Sequence, residues 1–222
     1  MSKFLDRESE GWGCARDDIF NRMVNKLQKD TEKARQDKFS RSNHEEEQLS
    51  PDKLQEYENI ATRDELTGLY NIRYVARKLV KEVQRCQRYK RPFSLMLVSL
   101  ANFEQLKRTQ GELATDEIIK AGATLISSCV REVDIVGRFG KDQFAIILPE
   151  TDSSRALLVS QRLHEKIAAL PINQGSNANT LSLNIGLAAF PTHARDENSL
   201  LTTAMQYLEQ ARRLGSNQIY TS

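Results

Sequence analysis

At 222 residues the chain has room for one domain of ordinary size and an extension, and not for two full domains. Its 32 basic and 30 acidic residues leave a net charge of +2, without the basic field of a nucleic-acid-binding domain, and no apolar run approaches the roughly 18 residues of a membrane span. Cys14, Cys86 and Cys129 are odd in number and far apart, which argues against a disulfide framework or a zinc site and for reduced thiols in a cytosol. The start, Met-Ser-Lys-Phe-Leu-Asp-Arg, lacks the apolar stretch of a signal peptide. A soluble, cytoplasmic chain is expected, with neither nucleic acid nor membrane as a partner.

The first sixty residues carry dense mixed charge, with Ile19, Met23 and Leu27 at i, i+4, i+8 as their main helical stripe. That stripe fits a helix packed on its own domain and a dimer seam equally well. Residues 40–49 are too polar to offset their ordering entropy and read as a linker. Ser50 and Pro51 then suit the N-cap and first position of a second helix, which runs into "TRDELTGLYNIR".

From there two periods alternate. A helix is predicted over 73–89, a buried strand over 93–100, a helix over 112–133, and a hairpin with arms "DIVGRF" and "QFAIILPE". A helix over 153–170, a strand over 180–190 and a last helix ending on Gly215 before a short terminal strand complete the series. The class is α/β (α+β), in the βαββαβ order of a ferredoxin-like fold with additions at both ends. Within the hairpin, "RFGKDQF" reads as a strand, a two-residue turn and a strand. Such a turn favours Gly, Asn or Asp because its residues can require φ > 0, so Lys141 beside Gly140 is unexpected.

Together, "DELTGLYN" at the entry, "RFGKDQFAIILPET" at the hairpin, "NIGLAAFPTHARD" on the late strand and "QARRLGSNQIY" at the end resemble the GGDEF domain. That family makes cyclic di-GMP from two GTP molecules on a ferredoxin-like, polymerase-palm-like core. The resemblance covers residues 60–222 and leaves 1–59 as a helical, charged extension and linker.

The family hairpin is Gly-Gly-Asp/Glu-Glu-Phe, and Gly140-Lys141-Asp142-Gln143-Phe144 departs from it at the second and fourth positions. The resemblance implies that Lys141 fills space kept for a nucleotide, that Gln143 replaces an anionic magnesium ligand, and that Asp142 keeps the carboxylate tied to metal binding and hydroxyl activation. At the end of the first core strand Ser99 stands where a metal-binding aspartate is implied, Glu104 where a phosphate-binding lysine is, and Lys107 where a guanine-reading asparagine is. Asp116, the other guanine contact, and Arg212, a phosphate contact, are kept, while Ser216 replaces an arginine. Magnesium wants carboxylate oxygens, and phosphoryl transfer relies on neutralised phosphates. Ser99, Lys107, Asp116, Gly140, Lys141, Asp142, Gln143 and Arg212 are therefore expected to be a vestigial active site. The expectation is a degenerate diguanylate cyclase: not an enzyme, with no catalytic residue and no magnesium.

A second set follows from the same resemblance. Arg131-Glu132-Val133-Asp134 precedes Gly140 at the spacing of the family's Arg-x-x-Asp product site, and Arg162 falls on the position of its further arginine. A guanidinium fork grips phosphate or guanine, and a carboxylate accepts from the guanine N1–H and N2–H₂ edge. The plainer reading of Arg131 and Asp134 is a local ion pair where a helix ends. The expected function is a cyclic di-GMP receptor acting through Arg131, Asp134 and Arg162, with a protein partner engaged through the N-terminal helices and a homodimer as a further contact. Two alternatives stay open: an interaction module that binds no nucleotide, and a residual diguanylate cyclase or GTP-binding protein.

Overall fold

The computed structural model describes residues 62–101, 103–168 and 182–222, so the expectations for the stripe at Ile19, the linker at 40–49 and the helix at Ser50 lie outside the described residues. Helix α1, Ile72–Tyr89, starts where the Asn71 side chain accepts the Tyr74 N–H at 3.0 Å. It buries Val75, Ala76, Leu79, Val83 and Cys86, one face of a 3.6-residue period, and stops at Lys90 in the left-handed region at φ 58.

Strand β1, Phe93–Leu100, is buried along its whole length. It lies centrally in a five-stranded sheet of order β2-β3-β1-β4-β5, with β2 Ile135–Arg138, β3 Gln143–Leu148, β4 Leu183–Phe190 and β5 Ile219–Tyr220. β1 runs antiparallel to both β3 and β4, β2 antiparallel to β3, and β5 parallel to β4. This is the ferredoxin-like order with one added strand. Successive side chains alternate between faces. Met96, Val98, Phe144, Ile146, Ile185 and Leu187 join one core with Ile118, Ile119 and Ile126 of α3, Glu112–Cys129, and Leu163 and Ile167 of α4, Ser153–Ala168. The opposite face, with Leu95, Leu97 and Ile147, is covered by α1 and by α5, Glu197–Leu214. Helices on both faces explain why β1 reads as a nearly continuous apolar run, with only Ser94 and Ser99 polar.

Helix α5 lies hard against β4. A Cβ on Gly186 would come within 2.2 Å of the Leu208 nitrogen and 2.4 Å of the Ala204 oxygen, so only glycine admits this approach. No helix among the described residues is long and apolar enough to cross a membrane.

One element was missed and two expectations are corrected. A short helix, α2, Phe103–Gln110, was not anticipated: it buries only Phe103 and Leu106, too few positions to show a period. Helix α3 ends at Cys129, not 133, because Val130 is extended, at φ −112 and ψ 168. The hairpin connection is a four-residue loop, 139–142, and not a two-residue turn. The Phe139 and Gly140 N–H groups both donate to the Gln143 carbonyl, at 2.8 and 3.1 Å, and no loop residue has positive φ, so Lys141 is accommodated without strain.

Candidate functional site

At the hairpin end, Ser99 of β1 is the register partner of Gln143 of β3, and both are buried. Arg212 reaches them from the last turn of α5. Its Nε donates to Ser99 Oγ at 3.1 Å and its Nη2 to Asp142 Oδ2 at 3.1 Å. The loop is held from its other side by Arg138, whose Nε donates to the Gly140 carbonyl and Nη2 to the Lys141 carbonyl, both at 3.1 Å. Arg138 Nη1 meets the Asp64 carboxylate at 3.2 and 3.3 Å, and that carboxylate also accepts the Thr67 N–H and hydroxyl at 3.0 and 2.7 Å. The entry motif and the hairpin motif therefore form one unit. Neither Asp64 nor Arg138 was expected among the site residues, although both stand in the quoted motifs.

Lys107 on α2 pairs with Glu112 at the start of α3, Nζ to Oε1 at 3.0 Å. That hydrogen bond and its charge hold the Glu112 carboxyl below its usual range, with a smaller contribution from Lys141. Asp116 stands one helical turn on, and its charge acts on Lys107 in turn. Lys141 is exposed at the loop tip. The structure thus brings together Ser99, Asp142, Gln143 and Arg212 in one cluster, with Lys107, Glu112, Asp116 and Lys141 in a second beside it. For magnesium, the first cluster offers a hydroxyl, an amide and one carboxylate that a guanidinium already engages. This donor set does not fit a magnesium site by itself.

The Arg-x-x-Asp residues lie at the other end of β3, about 17 Å away along a six-residue strand. They form a tight turn between α3 and β2. The Asp134 N–H donates to the Arg131 carbonyl at 3.0 Å, and Asp134 Oδ2 accepts the Arg131 N–H at 2.7 Å. The ion pair of the plainer reading is not formed between these side chains: the carboxylate takes backbone instead. Asp134 Oδ1 is buried and has no hydrogen-bond partner among the described residues. Burial raises the Asp134 pKa, against the Arg131 N–H and the charges of Arg131 and Arg162.

Arg162 projects from α4, and its Nη2 donates to the Cys129 carbonyl at the C-terminus of α3. Arg131, Asp134 and Arg162 all line one cavity of about 420 Å³, with Leu158, Arg155 and Lys166. Sequence reasoning found the first three and missed the last two cations, whose spacing of seven and four residues from Arg162 places them on its face of the helix.

Among curated proteins, the chain is 30% identical over 159 residues to Probable diguanylate cyclase DgcC of Escherichia coli K12, a match covering 72% of this chain and 43% of that one. It therefore spans about two fifths of that relative's length. Among solved structures, the fold matches the GGDEF domain of DgcB from Caulobacter crescentus in complex with c-di-GMP, with a TM-score of 0.68 and 20% identity over 72% of this chain and 95% of that one. It also matches diguanylate cyclase SiaD of Pseudomonas aeruginosa in complex with its activator SiaC, with a TM-score of 0.68 and 23% identity over 92% and 75% of the two chains.

The expectation that the chain is not an enzyme is overturned by DgcC, which is named as a probable diguanylate cyclase, an enzyme. The physical reason lies in what the departures touch. Replacements at 99, 141 and 143 alter side chains while the hairpin frame, Asp142 and Arg212 remain in place. Residues 61–218 match the family described as Diguanylate cyclase, GGDEF domain, and the chain belongs to that family.

Proposed function

We propose that this domain is a cyclic di-GMP receptor that holds its ligand through Arg131, Asp134 and Arg162. The observation that carries the reading is the buried Oδ1 of Asp134, without a hydrogen-bond partner among the described residues, beside a cavity that Arg131 and Arg162 also line. A buried carboxylate oxygen without a donor is unfavourable, and a guanine edge supplies two N–H donors where the protein supplies none. Reaching that oxygen requires the side chains that cover it to swing aside. The guanidinium groups then meet phosphate. Binding here uses no metal. The DgcB domain solved with c-di-GMP supports the ligand class, and SiaD with its activator supports a protein contact. Residues 1–59 are where the sequence puts that contact, with 60–222 as the binding domain. The buried free thiols Cys86 and Cys129 fit a cytoplasmic location.

The test is calorimetric titration of the purified chain with cyclic di-GMP, cyclic di-AMP and GTP, with and without EDTA. Saturable binding of cyclic di-GMP that survives chelation and exceeds that of cyclic di-AMP is the expected result. Absence of binding at tens of micromolar would remove the receptor reading.

A further inference from the structure

Resting on that reading, we propose that Arg155 and Lys166 are ligand-binding residues of the same pocket, and that the row they form with Arg162 selects a ligand carrying at least two phosphates. At 3.6 residues per turn, positions 155, 162 and 166 fall within about 40° of one another around α4, along roughly 16 Å of its axis. All three line the cavity, as does Arg131 from the facing turn. Among the lining residues Asp134 is the one acid, so four cations surround a single carboxylate.

These side chains are available. The Arg155 guanidinium meets Asp152 only at 3.7 Å, with the two side chains 71% and 43% exposed, a contact that solvent replaces at little cost. Lys166 is exposed and has no hydrogen-bond or ion-pair partner among the described residues. Leu158, also lining the cavity, is 65% exposed, which gives an apolar face for a base to cover. A ligand with one phosphate leaves most of the cations uncompensated. Two phosphodiesters held on one ring can engage Arg131 and the α4 row together.

The experiment measures cyclic di-GMP binding by Arg155→Ala, Lys166→Ala, the double variant and the charge-keeping pair Arg155→Lys and Lys166→Arg, at low and moderate salt, with 3′,5′-cyclic GMP as the one-phosphate comparison. Each alanine is expected to weaken binding roughly fivefold, and the double variant to weaken it further and flatten the salt dependence. The charge-keeping pair should stay within about twofold of wild type, and all variants should melt with wild type because both positions are exposed. Cyclic GMP should bind far more weakly than cyclic di-GMP. If the double alanine variant binds like wild type while Arg131→Ala has lost affinity, this inference fails and the receptor reading stands. Equal affinity of wild type for cyclic GMP also overturns it. Loss of binding in wild type, or no effect of Arg131→Ala, removes the receptor reading itself.

Discussion

The Asp64 carboxylate holds the Arg138 guanidinium at 3.2 and 3.3 Å across 74 residues of sequence, and the same guanidinium holds the carbonyls of Gly140 and Lys141. The pair is about one-fifth exposed on each side, so its removal leaves a partly desolvated cation facing two carbonyls. Asp64→Ala should therefore destabilise the domain by about 1–3 kcal/mol. It should also raise hydrogen exchange at the 139–142 amides well above wild type. A melting temperature and loop exchange equal to wild type would show that the loop is held by its own backbone bonds alone.

This pairing also shows where sequence reasoning stops. β1 was legible to the residue because a largely apolar run of eight between turn signals, broken only by Ser94 and Ser99, has few other readings, and both hairpin arms were legible to within two residues. The loop between those arms was not, since its length depends on which residues pair across the sheet. A contact such as Asp64 with Arg138 leaves no periodic trace. On α4, Arg162 was found through the family pattern, whereas Arg155 and Lys166 became visible only once the turn at Arg131 was seen to face that side of the helix. Substitutions counted position by position at Ser99, Lys141 and Gln143 said nothing of the frame that holds them, and the inference to a non-enzyme went too far for that reason.

Two buried glycines should respond in opposite directions to alanine. At Gly186 the added methyl meets backbone of α5 at 2.2 and 2.4 Å, which side-chain repacking cannot relieve, so Gly186→Ala should cost about 3 kcal/mol or more. At Gly122, inside α3, the nearest atom is Leu100 Cδ2 at an ordinary 3.6 Å. Gly122→Ala should stabilise by up to about 1 kcal/mol through helix propensity. Urea unfolding of the two variants checks both signs.

Arg131 and Arg162 should separate under mutation. Arg131 is exposed and its side chain makes no hydrogen bond among the described residues, so Arg131→Ala should weaken cyclic di-GMP binding about 10- to 100-fold and leave the melting temperature unchanged. Arg162 donates to the terminal carbonyl of α3, so Arg162→Ala should lose both affinity and stability. Calorimetry and thermal unfolding on the same samples distinguish the two. An equal loss of stability for both would show that Arg131 is a structural residue.

Asp134 sets a pH dependence whose sign follows from its environment. Burial raises its pKa in the folded chain, so the folded state keeps this proton to higher pH than the unfolded state does. Its contribution to the stability of the free domain is therefore fully present below the ordinary aspartate value and is lost as pH rises through the folded value. Ligand binding runs the other way. A guanine edge donates to the ionised carboxylate, so binding lowers the pKa and releases a proton, and affinity should rise with pH across the acid range and level off once the carboxyl is ionised. The cations that line the same cavity are Arg131, Arg155, Arg162 and Lys166. Asp134→Asn keeps an acceptor for the Arg131 N–H but turns a donor toward guanine. It should lose about tenfold or more in affinity, lose the acid-range dependence, and melt no lower than wild type at neutral pH because a buried charge has been removed. Titrations from about pH 5 to 7.5, with proton release read from buffers of different ionisation enthalpy, measure all three. Wild-type affinity that is flat with pH would show that Asp134 does not receive the ligand.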